Sequence, residues 1–401
     1  MQTQLPNSFL TTHEGQLADS ILRSCVHCGF CNAACPTYQL LGNELDGPRG
    51  RIYQIKNMLE GQQPSKRTQL HLDRCLTCRS CETTCPSGVR YSQLLEIGRN
   101  ILEVKVERSL LSKLMRRSLR LVLPYPQRFK FLLSIGLFVK PVLPHFLKKQ
   151  FPMIEKKHQW DEKRHKKKLL VLDGCVQSVA TPDTNAIASK VFSKLGYQII
   201  HTKKAGCCGA LSTHLSAVDE GKDFMRRNID AWWPHIEEGV EGILATASGC
   251  GVMLSEYGQA LSNDKAYAEK ANEIVRLFKD PIEILKAEDL SELEISHTKN
   301  KIAFHSPCTQ QHGLNLQGEV ETLLTDLGFN LVNVADSHLC CGSAGTYSIL
   351  QSELSTMLLK NKLAALNDEQ PDLIVTANVG CQLHLQADSD VPVRHWLSLL
   401  I

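Results

Sequence analysis

Apolar and polar positions follow a different rhythm in each third of the chain. In the middle, Leu94, Ile97, Ile101, Val104, Leu111, Leu114 and Leu121 recur at roughly helical spacing with Arg108, Arg116, Arg117 and Arg120 between them, and Pro124 and Pro126 end the run. A second apolar stretch, residues 129–147, is interrupted by Lys130, Lys140, Pro141 and Pro144. It falls short of the roughly 20 unbroken apolar residues that a membrane-spanning helix needs. Further on, short apolar runs alternate with helical patterns: 169–172, 196–200 and 242–245, then 302–304, 328–332 and 373–375. Alternation of that kind predicts two α/β units with parallel sheets. Near the N-terminus only residues 51–59 read as a longer helix, among turns rich in Gly and Pro.

The sixteen cysteines sharpen these divisions. Residues 1–92 hold eight at short spacing, 93–166 hold none, and 167–401 hold eight at wide spacing. Laid side by side, Cys175, Cys207, Cys208 and Cys250 precede Cys308, Cys340, Cys341 and Cys381 by 133, 133, 133 and 131 residues, so the last segment is an internal repeat. The predicted organisation is an N-terminal α-helical ferredoxin-like domain (1–92), a basic amphipathic linker (93–166) and two α/β cysteine-rich repeats (167–298 and 299–401). Each repeat cysteine is expected just beyond the C-terminal end of a strand, where parallel sheets build their sites, so that the four thiols of a copy converge.

Cys25-x-x-Cys28-x-x-Cys31-x-x-x-Cys35-Pro36 and Cys75-x-x-Cys78-x-x-Cys81-x-x-x-Cys85-Pro86 are two complete bacterial ferredoxin runs. Three cysteines at that spacing wrap one cubane, and the fourth reaches across to the other cluster. The expected ligands are therefore Cys25, Cys28, Cys31 and Cys85 for cluster one, and Cys75, Cys78, Cys81 and Cys35 for cluster two. Paired zinc sites are the alternative, although they need neither the third spacing nor the proline. Between the runs, Asp46-Gly47-Pro48-Arg49-Gly50-Arg51 reads as a turn entering a helix; its arginines either raise a cluster's potential or are simply solvated.

Charge adds one feature. The formal net charge is +3, yet residues 101–168 carry eighteen Lys or Arg against five Asp or Glu. Basicity confined to one stretch points to an acidic partner surface or anionic lipid rather than nucleic acid. The competing reading has the apolar faces packed on the protein and the charges solvated. The start of the chain has no basic-then-apolar leader, and abundant thiols suit a reducing cytosol, so the protein is expected in the cytoplasm, as a peripheral protein on the cytoplasmic face of the inner membrane.

The ferredoxin runs, the link from Gly47 to Tyr53, His71-Leu72-Asp73-Arg74-Cys75-Leu76-Thr77-Cys78 and both Cys-Cys-Gly repeats together resemble the iron-sulfur subunits of bacterial glycolate oxidase, over essentially the whole chain. Less closely they are similar to iron-sulfur subunits of anaerobic glycerol-3-phosphate dehydrogenase and to heterodisulfide reductase subunits. The resemblance implies electron transfer from FAD-containing partner subunits that oxidise glycolate to glyoxylate, with D-lactate a second substrate and a quinone or membrane carrier as acceptor. Alternatives are the glycerol 3-phosphate or D-lactate complexes, or a Cys-Cys-Gly disulfide-reductase subunit. The wider superfamily ends its repeat in Cys-x-x-Cys, but here Met253 and His384 occupy the last thiol position. Four thiols per copy still suit a further iron-sulfur cluster or zinc, with His384 as an added ligand, or are buried thiols without metal. No FAD is expected on this chain, because no dinucleotide or phosphate-binding fingerprint is present and iron-sulfur clusters do not accept hydride.

Overall fold

In the computed structural model, the described residues are 1–140, 159–295 and 299–401. The N-terminal part is helical. Its main helices are His13–Ser24, Pro48–Leu59, Lys66–Asp73 and Tyr91–Lys105, each with a local reason to begin where it does. Thr12 Oγ1 accepts from Gly15 N at 3.0 Å, Pro48 occupies the first turn, and Ser65 and Thr68 form a reciprocal capping box. Ile21, Leu22, Ile55, Leu72, Leu94, Leu95 and Leu102 fill the core. Gly98 lets two helices touch: a Cβ there would sit 2.8 Å from Ile55 Cγ1.

The helix Tyr91–Lys105 packs into that core through Leu94, Leu95, Ile97 and Leu102, so the expected boundary at 92/93 falls inside an element of the N-terminal body. The middle segment then supplies two exposed helices, Leu110–Val122 and Pro126–Val139, neither with a buried residue. Of the apolar run at 129–147, residues 141–147 lie outside the described residues. No helix among the described residues is long and apolar enough to cross a membrane.

Two parallel sheets follow. The first has strands β1 (Lys167–Val171), β2 (Tyr197–His201), β3 (Gly242–Leu244) and β4 (Phe278–Lys279), in the order β2-β1-β3-β4. The second has β5 (Ile302–His305), β6 (Leu373–Thr376) and β7 (Val393–His395), in that order. Their registers start at Lys167↔Tyr197, Leu169↔Gly242 and Ile302↔Leu373. Strands covered on both faces read as continuous apolar runs, as at β3 and β5.

The second repeat departs from the expected symmetry. Residues 328–332 make a single bridge, Ile302↔Leu331, where the first copy has β2. Ile302 N donates to Asn330 O and Val332 N to Ile302 O, after which the chain leaves the sheet. Asn330 and Asn333 are poor strand formers, and Asp336 adopts a positive φ of 48°. The repeats share one core, with Leu169, Val171 and Ile199 packed among Ile302, Phe304, Val375 and Trp396. Ser248 N donates to Ala377 O, tying the copies together.

Candidate functional site

Each ferredoxin run bends through two left-handed residues, His27 and Gly29 in the first, Thr77 and Arg79 in the second. Three of these four carry a side chain, a strained choice that persists where surrounding structure enforces it. The bends wrap each run around a cavity. Cys25, Cys28, Cys31 and Cys85 line one, together with Gly29, Arg49 and Pro86. Cys35, Cys75, Cys78 and Cys81 line the other, together with Thr37, Arg51 and Leu76. Cys85 and Cys35 thus each sit with the opposite run. Cys81, Pro48 and Tyr91 border both cavities.

The electrostatics explain why such sets suit metal. Burial, then Cys25, Cys85 and Cys28, push the Cys31 thiol up to about 11. Burial, then the neighbouring Cys308, raises Cys78, and burial followed by Cys78 and Cys75 raises Cys81. Thiols this close resist ionising together, and iron removes that resistance by supplying positive charge. Four thiols on one cavity form the donor set of a [4Fe-4S] cube, so the residues fit that group. Arg51 is buried beside the second cavity, donating to His71 O at 2.8 Å and Thr37 Oγ1 at 3.1 Å, with Asp46 3.8 Å away. Asp46 also holds His71 Nδ1 at 2.9 Å and Arg74 at 3.0 Å. Arg49 pairs with Glu44 at 2.6 Å, at the rim of the first cavity.

In the first repeat, Cys175, Cys207, Cys208 and Cys250 form a chain of thiol contacts. Tyr125 from the basic segment packs against this group, its ring edge-on to Phe224 at 5.8 Å. Contacts with Cys175 and Cys208, and more weakly the Arg227 charge, favour an ionised Cys207, and the Nε and Nη2 of Arg227 are buried without an acceptor. Met253 is buried in the repeat's core. In the second repeat, Cys308 Sγ lies 3.9 Å from Cys340 Sγ, and the contacts continue through Cys341 to Cys381. Lys362, also buried, donates to Asp336 O at 2.8 Å on the same side.

His384 does not join this group, because its Nε2 meets Ser355 Oγ at 3.1 Å. His305, at the end of β5, takes that place. Its Nδ1 meets Thr376 Oγ1 at 3.0 Å, its Nε2 is buried without a partner, and it forms a close set with Cys341 and Cys381 within 4.8 Å. Burial pushes its pKa down to about 3, the neutral form a metal ligand requires. Sequence reasoning missed His305, and the signal available was that the repeat offset of 133 places Leu172 opposite it.

The second repeat abuts the second ferredoxin cavity. Leu76 and Cys78 pack with Cys308, Cys340 and Tyr347, and Tyr347 Oη donates to Arg74 O at 3.1 Å. The first cavity instead opens toward a face where Cys28, Val26, Phe30 and Tyr53 are exposed.

Three arginines of the basic segment pair within the molecule instead of being solvated. Arg108 grips Asp73 through both terminal nitrogens, at 2.5 and 3.0 Å, and Glu103 at 2.6 Å. Arg116 reaches Asp73 at 3.3 Å and Arg120 reaches Glu220 at 3.0 Å. The apolar face is what remains outside: Leu110, Leu111, Leu114, Phe131, Leu132, Ile135 and Phe138 are exposed.

Comparison with known proteins adds family information. The family described as "4Fe-4S dicluster domain" matches residues 21–89, and that described as "Cysteine-rich domain" matches 169–255 and 302–386. The chain is 52% identical over 401 residues to the glycolate oxidase iron-sulfur subunit of Escherichia coli (strain K12), covering 100% of this chain and 98% of that one. It is 30% identical over 415 residues to the probable glycolate oxidase iron-sulfur subunit of Bacillus subtilis (strain 168), covering 96% and 91%. Lactate utilization protein A of Bacillus velezensis is 24% identical over 236 residues, 56% of this chain and 95% of its own length.

Proposed function

This chain belongs to the family of glycolate oxidase iron-sulfur subunits, and from that membership we propose that it carries electrons away from FAD-containing partner subunits that oxidise glycolate to glyoxylate, toward a quinone. The observation that carries the proposal is the pair of adjoining thiol cavities with exchanged fourth cysteines. Two [4Fe-4S] clusters bound there supply one-electron steps between a two-electron donor and the acceptor.

This chain's residues have distinct tasks. Cys25, Cys28, Cys31 and Cys85 hold one cluster, and Cys35, Cys75, Cys78 and Cys81 the other. Arg51 stabilises added negative charge at the second cradle. Val26, Phe30 and Tyr53 offer the flavoprotein a contact face beside Cys28, the most exposed of these thiols. A further metal centre is supported best in the second repeat, where His305 joins Cys308, Cys340, Cys341 and Cys381. The exposed apolar helices, flanked by Lys113, Arg117, Arg128 and Lys130, support peripheral attachment to an anionic membrane on its cytoplasmic face.

Iron, acid-labile sulfide and zinc analysis with low-temperature EPR tests the reading on anaerobically purified protein, wild type against a Cys340→Ser variant. About eight irons in both would support two clusters and refute a second-repeat iron site. A larger iron or zinc content that falls in the variant would support the added centre. Zinc without iron or sulfide would overturn the electron-transfer reading.

A further inference from the structure

A large cavity separates the N-terminal body from the first repeat. It is walled by the helix His13–Ser24, the helix Tyr91–Lys105, residues 213–225 and residues 253–263. Thr77, Arg79 and Ser92 line both this cavity and the cradle of Cys35, Cys75, Cys78 and Cys81, so a single layer of residues divides the two. No residue of the cavity other than those three takes part in the cluster cradles.

The walls combine two chemistries. Leu17, Leu95, Met225 and Met253 are apolar, which suits a flat organic ring. Glu96, His214, Arg79, Arg99 and Glu256 are ionisable, and Asn100 Oδ1 and Thr213 Oγ1 are buried without a hydrogen-bond partner. Arg79 pairs with Glu256 across the cavity. Arg99 donates to Cys75 O at 2.8 Å and to Thr77 Oγ1 at 3.3 Å, joining the cavity wall to the loop around the second cradle.

We propose that this cavity is a quinone-reducing site, in which electrons arrive singly across the Thr77–Arg79 wall and Glu96 donates a proton to a quinone oxygen. This rests on the electron-transfer reading. The balance is one quinone, two electrons and two protons giving one quinol. The electrons originate in the partner's reduced flavin. One proton leaves the Glu96 carboxyl and the second comes from solvent, which also reprotonates Glu96. Burial, then Glu256 and more weakly Glu14, raise the Glu96 carboxyl to about 7 against the opposing Arg79 and Arg99, leaving a proton available near neutrality. His214 is held toward its neutral form by its surroundings and by Arg99 and Arg79, so it accepts or donates a hydrogen bond without adding charge. The apolar helix face also lies nearby, since Arg120 of Leu110–Val122 binds Glu220, between the cavity residues Val218 and Lys222.

The test uses the complete complex with clusters loaded, in wild type, Glu96→Gln and Ala260→Trp, the last filling the cavity wall. Three readings are taken: glycolate-driven cluster reduction by EPR, reoxidation of the reduced clusters by a short-chain ubiquinone or by ferricyanide, and peptide mapping of an azido-ubiquinone photolabel. The expected result is unchanged cluster reduction and ferricyanide reoxidation in all three proteins. Ubiquinone reoxidation should fall on the order of 100-fold in Glu96→Gln, the usual scale of a lost general acid. The photolabel should map to residues 93–100 or 213–222 in wild type and Glu96→Gln, and be lost in Ala260→Trp. Label found elsewhere, or wild-type ubiquinone rates in both variants, would overturn the site. Failure of glycolate to reduce the clusters in wild type would overturn the electron-transfer reading itself, a separate outcome.

Discussion

At the scale of single residues, two buried charges govern measurable behaviour. Arg51 is fully enclosed between Asp46, Thr37 and the second thiol cavity. A cation there favours the more negative, reduced state of a neighbouring centre, so Arg51→Gln should lower that centre's midpoint potential. At a few ångströms and a moderate effective dielectric the change is on the order of 100 mV. EPR-monitored redox titration would show it, and an unchanged midpoint would refute the electrostatic role. Asp280, buried at the start of the helix Pro281–Leu285, has its carboxyl raised to about 7 by burial and then by Glu283. Its folded value exceeds its unfolded value near 4, so its stabilising share is complete below about pH 4 and is lost as pH rises through 7. Asp280→Asn keeps a capping residue and should stabilise the protein at pH 8 by a few kcal/mol while changing nothing at pH 4, as denaturant titration at both pH values would report.

Single residues also mark the limit of what a sequence discloses. The eight N-terminal cysteines could be grouped in advance because their spacing is local and the loop around a cube tolerates little variation. His305 could not, because a histidine ending a strand has no local signature and its significance comes from Cys341 and Cys381, 36 and 76 positions onward.

At the scale of elements, the helices Leu110–Val122 and Pro126–Val139 carry the clearest surprise. Periodicity reveals that a helix has two faces but not which face finds a partner. Here Asp73 and Glu220 hold Arg116 and Arg120, while Leu110, Leu111 and Leu114 are left outside. Replacing Leu111, Leu114 and Phe131 by Glu should abolish sedimentation with anionic vesicles. Because all three are exposed, stability should shift by no more than about 0.5 kcal/mol each. Vesicle binding that survives the triple change, or that ignores salt in the wild type, would refute attachment through this face. The missing strand at 328–332 teaches the same lesson in a sheet: the duplicated text Gly-Phe-Asn-Leu-Val matches its counterpart, but the residues after it turn away.

At the scale of the whole molecule, the two repeats were legible as separate units from their cysteine offsets, while their shared core was not, since no periodicity reports which faces of two sheets meet. That core, running from Leu169 to Trp396, makes the repeats one body. The N-terminal body adds to its apolar core two cavities crowded with thiols, whose mutual repulsion on ionising a metal would relieve. Stripping iron with a chelator should therefore melt residues 1–105 while the strands of the repeats persist, giving an early separate transition in thermal unfolding followed by circular dichroism. A single unchanged transition would refute that division.

The contrast between the two thiol cavities also bears on oxidative damage. Cys28 stands exposed on the face proposed to meet the flavoprotein, whereas Cys78 is half-buried against Leu76, Cys340 and Tyr347. Dioxygen reaches the first far more readily than the second, so aerobic handling should bleach the centres in sequence and leave a half-loaded protein. Such a protein would keep the inner station and lose its contact with the flavin. A docked flavoprotein, by covering that opening, would then protect the very centre it reduces.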